Sequence, residues 1–411
     1  ALGYHQCRYS YTPDERVLEV AEGFRSRDIP CDVIWLDIDY MDGYRSFTWH
    51  PVDFPDPSGL MDRLHADGFS VITILDPGIH QEAGYEVYES GRAQDLWVRD
   101  AAGRPYTGHV WPGLCVWPDF TMAAARQWWA RWVADFVAVG VDGLWNDMNE
   151  PAVFHVDGKT MPTTNVHRAD GDLGGLGTHA RYHNVYGMLM ARASVEGLRR
   201  ARPHRRPFVL SRAGHLGMQR FAATWTGDNV ANWWHLDTSV AQVLGLGLSG
   251  QPFSGPDIGG FAGAGDGRIF ARWMGIGALL PFARGHTGKG NIDKEPWAFD
   301  ARTEAVCRAA LQRRYRLLPW YYTLFEEASR EGLPPVRPLF FADPADPALR
   351  AEDDGFLLGQ DLLVWCQTRP EGGRAPVLPA GRWAEVDLGL AAGIIFLYWH
   401  RFKNAAHGQR L

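Results

Sequence analysis

Cysteine is scarce in this chain. The five present, Cys7, Cys31, Cys115, Cys307 and Cys366, are odd in number and widely scattered. That spacing excludes a disulfide framework, a zinc ligand set and a dithiol redox pair, and it fits a reduced, cytoplasmic setting. Basic charge is not in excess either: 41 Lys and Arg stand against 48 Asp and Glu, a net charge of −7. A nucleic-acid grip needs a clustered basic face, and the run RRARPHRR at residues 199–206 is short enough to be a solvated helix end. No apolar stretch approaches the roughly 20 residues of a membrane span, and no signal peptide opens the sequence. Histidines at metal-ligand spacing, repeats and low-complexity tracts are lacking as well, so neither a metal nor another cofactor is expected.

Aromatic residues are abundant. There are 18 Trp, 14 Tyr and 20 Phe, 13% of the 411 residues. Trp128, Trp129 and Trp132 sit at helical spacing and read as core. Trp145 and Trp225 instead follow strand-like runs, where aromatic faces suit the C–H faces of a sugar ring.

Short β-branched runs alternate with amphipathic stretches, the pattern of βα units and a parallel sheet. Strands are predicted near residues 3–7, 32–37, 70–75, 143–145, 207–211, 223–226, 251–254 and 280–282. Helices are predicted at 14–27, 58–67, 122–139, 179–201, 237–245 and 268–277. Eight strands in this order point to an α/β chain forming a (β/α)8 TIM barrel over residues 1–333, with insertions at 78–119 and 154–176 over its mouth. The first insertion holds strand-like pieces at 95–99 and 109–116; the second reads either as a lid or as a disordered excursion. Beyond residue 333 short alternating runs at 338–341, 356–358, 362–365, 375–378 and 383–386 predict a partial antiparallel β-domain over 334–411. Residues 391–411 fit no element of it.

Polar groups collect after the predicted strands: Arg8, Asp37, Asp39, Asp76, Asp147, Glu150, Arg212, Asp228, Asp257, Arg284 and His286. Active sites of (β/α)8 barrels form at that end. Two acids lie in dense aromatic and amide motifs, Asp147 in GLWNDMNEP and Asp228 in TWTGDN. A pair of carboxyl groups about 5–5.5 Å apart carries out retaining glycoside hydrolysis, one as nucleophile and one as acid/base. Asp147 is the candidate nucleophile and Asp228 the candidate acid/base, although the residues alone do not assign the roles. Arg212 and His286 could bridge sugar hydroxyls, whereas Arg284 reads better as half of an internal salt bridge.

Nine motifs together resemble glycoside hydrolase family 31, most of all its bacterial α-glucosidases. They are WLDIDYM (35–41), ITILDPGI (72–79), WNDMNEP (145–151), KTMP (159–162), SRAG (211–214), WTGDN (225–229), SGPDIGGF (254–261), RWMGIGALLPFARGH (272–286) and RYRLLPWYYTL (314–324). The resemblance implies a retaining, exo-acting enzyme that removes α-linked glucose from the non-reducing ends of oligosaccharides. It makes Asp147 the nucleophile and Asp228 the acid/base. It has Asp37, Arg212 and His286 bind the terminal glucose, and it lines the pocket with Ile38, Ile74, Trp111, Trp145, Met148, Trp225 and Phe261. Asp257 and Arg284 match polar positions around that pocket. Family members normally carry a β-sandwich ahead of the barrel; here the sequence opens directly into barrel pattern, as though excised from a longer protein, and self-association is a further expectation. The rival readings are an α-transglucosylase, a catalytically silent carbohydrate-binding barrel and a metal-dependent hydrolase.

Overall fold

The computed structural model describes residues 1–371, 375–386 and 393–398. The chain divides into two compact units. The mid-chain unit is Cys7–Gly23 with Val33–Thr224; the terminal unit is Ala1–Gln6, Phe24–Asp32 and everything from Trp225 onward.

In the mid-chain unit the strands Val33–Leu36, Ser70–Leu75, Gly143–Asn146 and Val209–Ser211 are parallel neighbours in that order, and Ala223 and Thr224 continue the ladder beside Leu210 and Ser211. Ser70–Leu75 (SVITIL) is apolar on both faces and almost wholly buried, as a strand covered on both sides must be. Helices follow the strands. Pro57–Ala66 starts at a proline and is capped by Asp56, whose carboxylate accepts from the Gly59 amide. Ala123–Phe136 and His179–Ala201 lie close because Gly197 meets Val133, where a Cβ would come within 2.5 Å. The Trp129 indole also donates to Ser194 Oγ at 3.0 Å.

The two insertions are knitted together. A hairpin of Thr107–Val110 and Gly113–Val116 pairs with Ile79–His80. The segment 95–99, expected as a strand, makes only isolated bridges at Trp97 and Arg99, since Arg99 turns toward the second insertion, exchanging backbone hydrogen bonds with Val166. The second insertion is a structured loop, not a disordered one: Val166–Arg168 pairs with Leu176–Thr178, and Asp119 anchors it from beneath. Burial alone would raise the Asp119 carboxyl, but His167, Thr121 and the Arg168 amide donate to it and hold it below the usual range. The chain of contacts continues from His167 to His179 at 2.9 Å and from His179 to His183 at 3.0 Å.

In the terminal unit His5–Gln6 and Asp257–Ile258 flank Arg284–Gly285 in parallel. The eighth strand thus lies beyond the expected 280–282. The reason is Arg314, fully buried on the helix Ala301–Arg316, which donates to the carbonyls of Leu2, Gly3, Ala278, Leu280 and Pro281. Those carbonyls are therefore unavailable to a ladder. The helix Trp233–Leu248 begins before the expected 237 because Asn232 caps it through the His235 amide. Past the helix Leu318–Glu331, five short strands form an antiparallel sheet in the order Val336–Arg337, Gly355–Leu358, Leu362–Cys366, Gly393–Tyr398, Trp383–Val386. Residues 339–341 form a 3-10 turn rather than the expected strand, which points Leu339 into a cluster with Leu349, Leu357, Leu363 and Trp365. Residues 375–378 form no strand, and 393–398 form one that the sequence did not announce; the remainder of 391–411 lies outside the described residues.

Both buried polar networks can be probed through stability. Arg314→Met leaves several buried carbonyls unpaired and should lower stability by about 3 kcal/mol, read as a shift of the urea midpoint. His179 is pushed down to about 3, first by burial and then by the charges of His167 and His183. The unfolded chain therefore binds the proton more readily, so stability contributed at neutral pH is lost as pH falls from about 6.5 toward about 3. Urea midpoints at neutral and acid pH should diverge less in His179→Gln.

Candidate active site

Register brings the charged residues of the mid-chain unit together. Leu75 and Ser211 both pair with Asn146. The next residue of each strand is Asp76, Asp147 and Arg212, so these three emerge side by side with Asp147 in the middle. Asp37 follows Leu36, whose partner is Thr73. It caps a short 3-10 turn by accepting from the Ile38 amide at 2.7 Å.

Arg212 organises this group. Its Nε and Nη2 donate to the two oxygens of Glu150 at 2.8 and 2.9 Å, a bidentate fork. Nη1 donates to Asp147 Oδ2 at 3.3 Å, and Nη2 also reaches the Met148 sulfur at 3.1 Å. Burial works against the guanidinium charge, but Asp147 and then Glu150 outweigh it and raise its pKa. Asp76 goes the other way for a carboxyl group: burial first, then the charge of Asp147, push it well above its usual range. Asn149 sets the loop, donating to Ser211 Oγ at 2.8 Å and accepting from the Ala213 amide at 3.0 Å.

The expected apolar lining falls into two places. Ile38, Ile74, Trp145 and Met148 are all buried; Trp145 packs edge-on to Trp35 at 5.8 Å, and Tyr40 donates to the Ile74 carbonyl at 2.7 Å. Trp111 instead caps the hairpin of the first insertion. It is 39% exposed and sits among Tyr9, Tyr44 and Phe154, with centroids 5.1 to 6.4 Å away.

In the terminal unit Arg284 and Asp257 are a fully buried ion pair at 2.7 Å. The guanidinium of Arg284 lies 5.1 Å from the Trp225 ring centroid. Asp228 is exposed, set between Gly227 in a left-handed turn and the buried Asn229. Asn229 accepts from the Phe261 amide at 3.0 Å and donates to the Asp257 carbonyl at 3.1 Å. His286 packs against Phe261 at 5.0 Å. The loop carrying Phe261 is clasped by Lys294, whose ammonium donates to the carbonyls of Gly259, Gly260 and Gly263. Sequence reasoning overlooked Asn229, Lys294, Asn149 and the weight of Asp76. For Asp76 the DP step after a predicted strand was the available signal. Of the acidic groups, Glu352, Asp353 and Asp354 lie close enough to share a cation, yet Glu352 already accepts from the amides of the other two and Asp354 faces Arg369.

Parallel βα units with charged groups at the strand ends are the architecture of a (β/α)8 barrel. The sequence matches the domain described as "Glycosyl hydrolases family 31 TIM-barrel domain" over residues 1–324, and "Glycosyl hydrolase family 31 C-terminal domain" over 332–395. The chain belongs to glycoside hydrolase family 31, a (β/α)8 barrel followed by a small β-domain. It is 43% identical over 386 residues to "Alpha-glucosidase 2" of Bacillus thermoamyloliquefaciens, covering 94% of this chain and 48% of that protein. Human "Neutral alpha-glucosidase AB" is 42% identical, covering 89% and 38%. A solved family 31 α-glucosidase from Bacteroides thetaiotaomicron superposes with a TM-score of 0.85 at 50% identity, covering 96% and 63%. The chain thus spans about half or less of the length of the curated relatives it matches.

Lys294→Met removes a charged donor from three carbonyls. Hydrogen exchange of the amides at 259–263 should quicken by roughly 10- to 100-fold; unchanged protection would show that the clasp is dispensable.

Proposed function

We propose that this chain carries the catalytic site of a retaining, exo-acting α-glucosidase. Its substrates are oligosaccharides ending in a non-reducing α-linked glucose. Asp147 attacks the anomeric carbon and forms a glycosyl ester, while Asp228 protonates the departing oxygen. Water, deprotonated by Asp228, then releases glucose with its α-configuration retained. The observation that carries this reading is the setting of Asp147. It lies at the end of a buried strand beside a guanidinium that is itself locked to Glu150, so its carboxylate is kept ionised and its orientation fixed. Relatives that share over two fifths of its residues are named α-glucosidases. Asp37 and His286 are assigned to the sugar hydroxyls, with Trp145, Trp225, Phe261 and Trp111 providing apolar faces.

Among the described residues no helix is long and apolar enough to cross a membrane. All five cysteines are buried and none forms a disulfide among the described residues, which fits a reducing compartment such as the bacterial cytoplasm.

Asp147→Ala should lower kcat on 4-nitrophenyl α-glucoside by roughly 10³-fold or more, and an activated fluoroglycoside should label Asp147 covalently. Asp228→Ala should cost about 10²–10⁴-fold on maltose, whose leaving group needs protonation, and far less on the nitrophenyl substrate; azide should restore part of the latter. Equal losses on both substrates would remove Asp228 from the acid role. β-Glucose as the first anomer seen by NMR would reject retention.

A further inference from the structure

Asp76 is a buried acid for which the reaction described above has no use. It is 4% exposed, and its Oδ1 is sealed from solvent without a hydrogen-bond partner among the described residues. Its backbone is fixed, since the Asp76 carbonyl accepts from Ser46 Oγ at 2.9 Å. The strand register sets it directly beside Asp147, opposite Arg212. Arg212 directs its donors to Glu150, Asp147 and Met148, and none to Asp76.

We propose that Asp76 is a positioning residue for Asp147, standing beside it as a neutral carboxyl group so that, of these two adjacent acids, only Asp147 carries charge and takes a hydrogen bond from Arg212. The proposal rests on the α-glucosidase reading. The charged and titratable groups around Asp76 are Asp147, Arg212, Asp37 and Glu150, with Tyr40 and Cys115 also near it. Arg212 is the one cation among these groups, and two of its neighbours already share it. Burial and the charge of Asp147, which together raise Asp76, outweigh the opposing effect of Arg212. Tyr40 and Cys115 are raised by burial too and stay neutral. An ionised Asp76 would compete for Arg212 and raise the proton affinity of the nucleophile. A protonated Asp76 does neither and still fills its place with a polar group of fixed shape.

Asparagine copies a protonated carboxyl group, and alanine does not. Activity of Asp76→Ala and Asp76→Asn on 4-nitrophenyl α-glucoside is followed across pH beside the unaltered chain. Alanine should lower kcat at least about 10-fold with a smaller change in KM, and asparagine should recover most of that loss. The acid limb of kcat/KM, which reports Asp147, should stay where it is in Asp76→Asn. An acid limb moved to lower pH would overturn the proposal, because removing a real negative charge makes Asp147 easier to ionise. Asparagine as damaging as alanine, or alanine without effect, would overturn it equally. Should the alanine variant fail to fold, the asparagine pH profile still decides. Infrared difference spectra supply a readout without turnover: a protonated-carboxyl band at neutral pH that Asp76→Asn abolishes. With that band present and no turnover by the unaltered chain, the α-glucosidase reading fails and the proton on Asp76 stands; with the band missing, the proposal fails whatever the activity.

Discussion

Parallel register is the constraint on which the mid-chain site depends. Asn146 is paired on one side with Leu75 and on the other with Ser211. Each ladder stops one residue before a charged side chain, so an acid, an acid and a guanidinium leave three neighbouring strands at one level. A slip of one residue would turn every one of these side chains to the other face. Such a slip would have to break the ladders that hold Ser70–Leu75 to Val33–Leu36 on one side and Gly143–Asn146 on the other. Strand pairing therefore fixes the placement, and the loop residue Asn149, bonded to the strand residue Ser211, only refines it.

The terminal unit solves a different problem with the same means. Its parallel strands are only two residues long, too short for ladders to hold by themselves. Buried cations hold them instead. Arg314 gathers five carbonyls around the end of its helix, and Lys294 gathers three in the glycine-rich loop on either side of Phe261. A buried cation bound to carbonyls satisfies acceptors that no strand reaches. The ion pair of Arg284 with Asp257 adds a third such fastening beneath Trp225.

Much of this was legible in the sequence where local pattern and tertiary demand coincide. The strand at 70–75 and the helix at 179–201 lie where the periodicity puts them, because a β-branched run and a long amphipathic stretch each favour one state. The family motifs carried Asp147 and Asp228 as candidates. The pattern misled at 280–282, where an apolar run adjoins Pro281 and its carbonyls are taken by Arg314, a residue more than thirty positions away. It was silent about Asn229 and Lys294, whose roles consist of hydrogen bonds to loop backbone. It also could not rank Asp76 above other strand-end acids, since burial and the nearness of Asp147 arise only once the strands are side by side.

The number of donors limits what Arg212 can do. A guanidinium has five N–H groups. Nε serves Glu150, Nη2 serves Glu150 and the Met148 sulfur, and Nη1 gives one hydrogen to Asp147. A single Nη1 hydrogen is left for a sugar hydroxyl. Family resemblance assigns Arg212 to substrate binding, but four of its donors hold protein groups, three of them carboxylate oxygens. Its main effect is therefore to hold Glu150 and Asp147 in place at the strand ends. Glu150, by holding the guanidinium through two bonds, stops Arg212 from turning fully onto Asp147. The cluster is a balance in which one guanidinium is shared between two carboxylates, held tightly by Glu150 and loosely by Asp147.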